Sequence, residues 1–180
     1  MSNAKQFQPH YTVEDYRKWE GDWELWCGSA VAMSPSPRAI HQDIAFKLAR
    51  VLADGLDQAQ GCSACRVLME LDWEISSDTI VRPDVLITCQ PLPEQALKDT
   101  PEFIAEILSP STARKDLVYK RAMYQEQKVP YYAIVDPDAK TVELLTLDDA
   151  GEYQSTSAND ATLTLTSGCE ISLDLTRVFG

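Results

Sequence analysis

Glu102-Phe103-Ile104-Ala105-Glu106-Ile107-Leu108, followed by Ser109-Pro110-Ser111-Thr112, is an apolar run with an acid in its interior and a helix-starting break behind it. A run this short and apolar, bounded by Ser and Pro, predicts a buried strand. A buried carboxylate is costly unless it is paired or binds a cation, so Glu106 has to find a partner. On an extended strand Glu106 shares a face with Ile104 and Leu108, while Phe103, Ala105 and Ile107 face the other way. A second acid in an apolar setting lies upstream. It is Asp84 in Arg82-Pro83-Asp84-Val85, within a strand expected from Ile80 to Thr88.

The helix after the Ser-Pro break should run to about Lys128. Asp116, Lys120, Met123, Tyr124 and Gln127 fall on one side of it at helical spacing, with Leu117 bordering the stripe. Lys120 therefore faces the sheet near Glu106, and a half-buried ammonium wants an anion. Two carboxylates on neighbouring strands with a lysine close behind outline a magnesium-dependent phosphodiesterase site. Each residue also has a plainer role open to it. Asp84 could end a turn after Pro83. Glu106 and Lys120 could form a structural ion pair. Lys120 could pair with Asp116 at i, i+4, worth only ~0.3–0.5 kcal/mol. His41, at the edge of an apolar helix stripe, could simply pack, and Glu24 sits in a strand-like run with neither role excluded.

Around this centre the order is helix, hairpin, helix, three strands, helix, two strands. Tyr11 to Trp19 reads as a short helix capped by Thr12, with Asp15 at its third position. Trp23 to Met33 reads as a hairpin around Gly28. Ser36 and Pro37 open a helix running to about Gly55, with Ile40, Ile44, Leu48, Val51 and Leu52 as its stripe. Cys65 to Ile75 and Ile80 to Thr88 are strands separated by a turn at Ser76-Ser77-Asp78. Val129 to Val135 and Thr141 to Leu147 make a hairpin about Asp136-Pro137-Asp138, and one or two edge strands are expected after Gly151. This is a mixed α+β (α/β) pattern: a central mixed sheet flanked by helices, with an N-terminal hairpin. Residues 1–10 read as a disordered or tag-derived leader and residues 11–180 as one domain.

The 180 residues carry a net charge of −12, which argues against non-specific binding to nucleic acid. The charge is unevenly spread. Ala113 to Lys128 holds five bases (Arg114, Lys115, Lys120, Arg121, Lys128) against two acids, whereas from Asp136 onward nine acids face two bases. A solvated helix face explains the basic cluster nearly as well as a ligand does. No apolar run is long enough to span a bilayer. The five cysteines, without a secretion signal, read as reduced thiols of a cytoplasmic protein. Cys62-Ser63-Ala64-Cys65 has zinc or redox spacing, but no second Cys or His pair completes a four-ligand set in the sequence. Trp19, Trp23, Trp26 and Trp73 are core or interface residues, and the Trp-rich N-terminal segment is where a two-fold dimer could form.

Several stretches, taken in order, resemble a known family. They are Glu24-Leu25 with Gly28, Met33-Ser34-Pro35-Ser36-Pro37 with His41-Gln42, Arg82-Pro83-Asp84-Val85, Glu106 through Thr112, Asp116 with Lys120 and Tyr124, and Tyr132 through Asp136-Pro137. Together, over roughly Tyr11 to Leu147, they look like the Uma-type restriction endonucleases of the PD-(D/E)XK nuclease superfamily. That resemblance implies a restriction-endonuclease-like fold and hydrolysis of DNA with Mg²⁺, for which Mn²⁺ may substitute. It implies Asp84, Glu106 and Lys120 as catalytic residues, and Asp84, Glu106 and the Ile107 carbonyl as metal ligands. His41, Glu24, Arg114 and Lys115 are expected at the substrate, and a homodimer is expected. Leu108 stands where the superfamily usually has lysine, and the Uma-type branch resembles this chain in taking its lysine from the following helix. Ala133 replaces a frequent Trp, and Cys27 replaces an acid before Gly28. The alternative is a nuclease-fold module that no longer cuts, which the charge of −12 favours.

Overall fold

Thr12 starts the first helix, α1 (Val13–Tyr16), with a reciprocal cap. Its hydroxyl accepts from the Asp15 N–H, and the Asp15 carboxylate accepts from the Thr12 N–H at 3.0 Å. The computed structural model, which describes residues 9–33, 38–109 and 115–180, continues with β1 (Trp23–Trp26) and β2 (Ser29–Ala32). The two residues between them, Cys27 and Gly28, both have positive φ (46° and 77°). That is the mirror-image turn whose twist suits a tight hairpin.

Helix α2 (Ala39–Gln58) follows. Ile44, Leu48, Val51 and Leu52 are buried as their spacing predicts, but Ile40, in the first turn and ahead of the first buried position, is 44% exposed. Ser36 and Pro37, the expected helix start, lie outside the described residues. The strands then run β3 (Arg66–Met69), β4 (Trp73–Ser76), β5 (Thr79–Val81), β6 (Val85–Thr88) and β7 (Phe103–Ile107). Residues Lys115–Lys120 form a π-helical turn that leads into α3 (Arg121–Glu126). The chain ends with β8 (Tyr131–Asp136), β9 (Thr141–Leu147), β10 (Tyr153–Ser157), β11 (Asp160–Thr164), β12 (Glu170–Asp174) and a 3₁₀ turn, Leu175–Val178.

Two stretches expected to be single strands are each divided. Cys65–Ile75 splits into β3 and β4, and Ile80–Thr88 splits into β5 and β6, with the halves in different sheets. The second break has a clear cause. Pro83 has no N–H to give a ladder, and the Arg82 N–H is taken by the Glu24 carboxylate at 2.8 Å. The chain therefore leaves a four-stranded sheet (β2-β1-β5-β4) at Arg82 and enters a six-stranded one (β10-β9-β8-β7-β6-β3) at Val85. Asp84 sits at that switch, just ahead of a strand rather than inside one. The tail adds three strands, not one or two: β10 at the edge of the central sheet, and β11 and β12, which among the described residues pair only with each other.

The six-stranded sheet is mixed: β7 pairs antiparallel with β6 and parallel with β8, the crossover between β7 and β8 being the segment that holds α3. Alternation along β7 divides the core. Phe103, Ala105 and Ile107 join Val85, Ile87, Ala133 and Val135 on the side packed by α2. Ile104 joins Leu86, Tyr132, Ile134 and Leu145 on the side packed by Tyr124 and Trp73. Each large apolar side chain buried this way contributes about 1.5–3 kcal/mol. Trp73 is core, as expected. Trp19 and Trp23 pack edge-on, 5.9 Å apart, with Tyr11 and Tyr16 alongside Trp19.

The cysteines depart from their expected state. Cys62 is disulfide-bonded to Cys169 and Cys65 to Cys89, so four of the chain's thiols are oxidised here and Cys27 is free and exposed. The reason is tertiary. Cys65 and Cys89 are the next rung of the β3–β6 ladder after Arg66↔Thr88, and the β11–β12 turn carries Cys169 to Cys62 across 107 residues of sequence.

Candidate active site

Glu106 is 3% exposed on the α3 side of the central sheet. Its Oε1 accepts from Lys120 Nζ at 2.9 Å and from the Tyr124 hydroxyl at 2.6 Å. Lys120 closes the π-helical turn and Tyr124 lies one α-turn further on, so the i, i+4 spacing delivers both donors to one carboxylate. Lys120 is itself 5% exposed, and its Nζ also lies 3.0 Å from Glu24 Oε1. Glu24, on β1 and 4% exposed, is held by the Arg82 N–H. A buried ammonium thus sits between two buried carboxylates contributed by two different sheets.

Asp84 reaches the neighbouring residue of β7 from the sheet switch. Its Oδ2 accepts from the Ile107 N–H at 2.7 Å, the backbone amide directly after Glu106. His41 Nε2, from the first turns of α2, lies 3.2 Å from the same oxygen. In an extended strand the N–H and C=O of one residue point to the same side, so the Ile107 carbonyl is turned toward the β6 edge where Asp84 stands.

The electrostatics follow from burial. Tyr124 is fully enclosed, and burial, then the Glu106 and Glu24 charges, hold its phenol well above the ordinary range. It therefore remains a protonated donor to Glu106. Arg82 is held firmly protonated by its hydrogen bond and ion pair with Asp72, against the opposing effect of its own burial, and its Nε lies 2.7 Å from Asp72 Oδ1.

The fold places five of the expected residues in two adjoining groups, Glu24, Glu106 and Lys120 in one and Asp84 and His41 in the other, which meet at the Glu106–Ile107 step of β7. Glu24, expected at the substrate, is buried with its carboxylate against Lys120. Arg114 lies outside the described residues, as do the side chains of Lys115 and Asp116, so the Lys120–Asp116 alternative falls there too. Tyr124 carries a contact that spacing alone did not reveal, although its position four residues after Lys120 was the available signal. The oxygen donors suit a hard divalent ion. Among the described residues no group of three or more metal-ligating side chains converges. An ion here would keep several waters, which is how Mg²⁺ prefers to bind.

The chain matches a family model described as "Uma2: Putative restriction endonuclease" over residues 13–176. Among solved structures it is similar to a "putative nuclease belonging to DUF820 from Anabaena variabilis ATCC 29413", at 19% identity and a TM-score of 0.70. That likeness covers 94% of this chain and 97% of the other, and it concerns the fold. No curated protein matches the chain.

Proposed function

The chain belongs to the Uma2 family, and from that premise we propose that it is a magnesium-dependent endonuclease that hydrolyses DNA phosphodiester bonds at the Asp84–Glu106–Lys120 site. The observation that carries this reading is the convergence at the end of β7. Asp84 is bonded to the amide next to Glu106, and Lys120 is bonded to Glu106. Asp84, Glu106 and the Ile107 carbonyl would hold the ion. Bound there, Mg²⁺ (or Mn²⁺) supplies charge neutralisation at the phosphate and makes a water more acidic.

The protein's own groups do the rest. Lys120 presents an ammonium, fixed between Glu24 and Glu106, to the charge that builds on the phosphoryl oxygens. Tyr124 pins the Glu106 carboxylate by donating to it. His41 does the same for Asp84, at the edge where a DNA backbone approaches. Arg114 and Lys115 belong to the only strongly basic stretch of an acidic chain and serve the phosphates. A homodimer through the Trp-rich N-terminal face would bring two such sites to the two strands of a duplex. As an enzyme acting on cellular DNA it would work in the cytoplasm, where the two disulfides would be reduced. No helix among the described residues is long and apolar enough to cross a membrane.

The test is cleavage of supercoiled plasmid with Mg²⁺ or Mn²⁺. Asp84→Asn, Glu106→Gln and Lys120→Met should each lower the rate about 100-fold or more. Cleavage that survives chelation, or that these variants leave intact, refutes the assignment. Light scattering should give twice the chain mass.

One further observation, the net charge of −12, favours a second reading: a nuclease-fold module that binds or assembles without cutting. Manganese calorimetry separates the two. Heat with wild type and none with Asp84→Asn supports catalysis. No heat at millimolar metal, with or without DNA, supports the module.

A further inference from the structure

Four of the five cysteines, from three separate parts of the chain, gather at the end of the sheet where α2, β3, β6 and the β11–β12 turn meet. The two disulfides are neighbours. Cys62 and Cys65 are joined through a tight turn, the Cys65 N–H donating to the Cys62 carbonyl at 2.8 Å. Cys65 Sγ lies 3.9 Å from Ser167 Oγ, and that oxygen accepts from the Cys169 N–H at 3.4 Å. The turn carrying Cys169 is shaped by Gly168, whose φ is +81°. Cys62, Cys65 and Cys169 are each no more than 9% exposed and belong to the core under α2. Cys89, partly buried, closes the group.

We propose that this cluster is a redox-gated zinc site: oxidised it forms the two disulfides, and reduced it binds one Zn²⁺ through Cys62, Cys65, Cys89 and Cys169. The argument is one of chemistry and place. A Cys-x-x-Cys turn supplies half of a tetrathiolate, and the fold supplies the two cysteines that the sequence could not locate. As the chain stands, no three metal-ligating side chains converge among the described residues, and a sulfur held in a disulfide is not a thiolate ligand, so the proposed site would exist only after reduction. A cellular dithiol supplies the electrons. Each disulfide takes two electrons and two protons and becomes two thiols, while each dithiol becomes a cyclic disulfide. The four thiols then lose four protons as Zn²⁺ binds, leaving a tetrathiolate of charge −2. Sulfurs paired in a disulfide must separate to about 3.8 Å, the edge of a tetrahedron with Zn–S near 2.3 Å. The group sits at chain turns and a strand end, where such a shift is absorbed with least disturbance. The site needs nothing from the carboxylate centre, because Asp84 precedes β6 and Cys89 follows it, at the opposite end of the strand.

The test uses the full chain, reduced anaerobically with a phosphine and given one equivalent of Co²⁺. Thiolate-to-cobalt charge-transfer bands with tetrahedral d–d bands should appear and vanish when Zn²⁺ is added. They should persist in Cys27→Ser and in Asp84→Asn. They should be lost in Cys65→Ser and Cys169→Ser. Because those two variants can fail to fold, alkylation of the reduced wild type gives an independent reading: Zn²⁺ should protect Cys62, Cys65, Cys89 and Cys169 and leave Cys27 reactive. A reduced wild type with no charge-transfer band overturns the proposal. So does a band that survives in folded Cys169→Ser, or alkylation of the four cysteines despite Zn²⁺.

Discussion

Lys120 Nζ lies 2.9 Å from Glu106 and 3.0 Å from Glu24, and all three groups are almost fully buried. An ammonium placed between two carboxylates matters most when it is taken away, since the remaining charges are then uncompensated. Lys120→Met should therefore destabilise the fold by about 3–5 kcal/mol, measured by urea unfolding, as well as abolish cleavage. Tyr124→Phe removes one donor from Glu106 and should cost about 1–3 kcal/mol. Tyr16 gives a pH signature. Burial, then the Asp72 carboxylate, push its phenol up from 10.0 to about 12. A pKa raised by folding adds stability that is complete below the unfolded value and is lost as pH climbs through the folded one. Stability should hold to about pH 10 and then fall toward pH 12. Tyr16→Phe should flatten that decline in an alkaline denaturation series, and an unchanged decline counts against the contact.

Among the elements, α2 and the crossover segment position the site. Gly55 lets α2 approach β12. A Cβ built there would lie 2.9 Å from Leu173 Cδ2 and 3.4 Å from the Ser172 carbonyl. Gly55→Leu should therefore push α2 off the β11–β12 pair and cost about 1–3 kcal/mol despite a better helix former, visible as a lower thermal midpoint. The crossover is the less regular element. Its π-helical turn over Lys115–Lys120 is a wider winding than the sequence stripe assumes, and such turns cluster at functional sites. The stripe still predicts that Lys120 and Tyr124 face the sheet. Leu117, which borders it, stays 40% exposed. At Pro83 the sheet switch was equally present in the residues, as a missing donor inside an apolar run. Its outcome, Asp84 at the junction of two sheets, depended on Glu24 arriving from β1.

Across the molecule, among the described residues, the β11–β12 pair has no strand partner in the central sheet. It is tied on by Glu102, which accepts from the Thr166 N–H at 2.9 Å, by Tyr131, whose hydroxyl accepts from the Thr164 N–H at 3.0 Å, and by the Cys62–Cys169 bridge. A bridge closing a loop of about 100 residues is worth about 4–5 kcal/mol in the chain-entropy account. Reduction without metal should lower stability by that order, measured by denaturant titration with and without reductant. Restored stability on adding Zn²⁺ is expected from the tetrathiolate proposal.

Local signals in the chain were enough for the helices, the hairpins, the alternation of β7 and the pairing of a buried acid with Lys120. The first three rest on neighbours a few residues apart, and the last on a crossover that sets Lys120 only 14 residues after Glu106. The division of two apolar runs between two sheets, the inward turn of Glu24, the Tyr124 contact and the meeting of four cysteines came only with the folded chain. Each joins segments that no periodicity links, and pairing over such distances is set by how the sheets pack rather than by any residue's own preference.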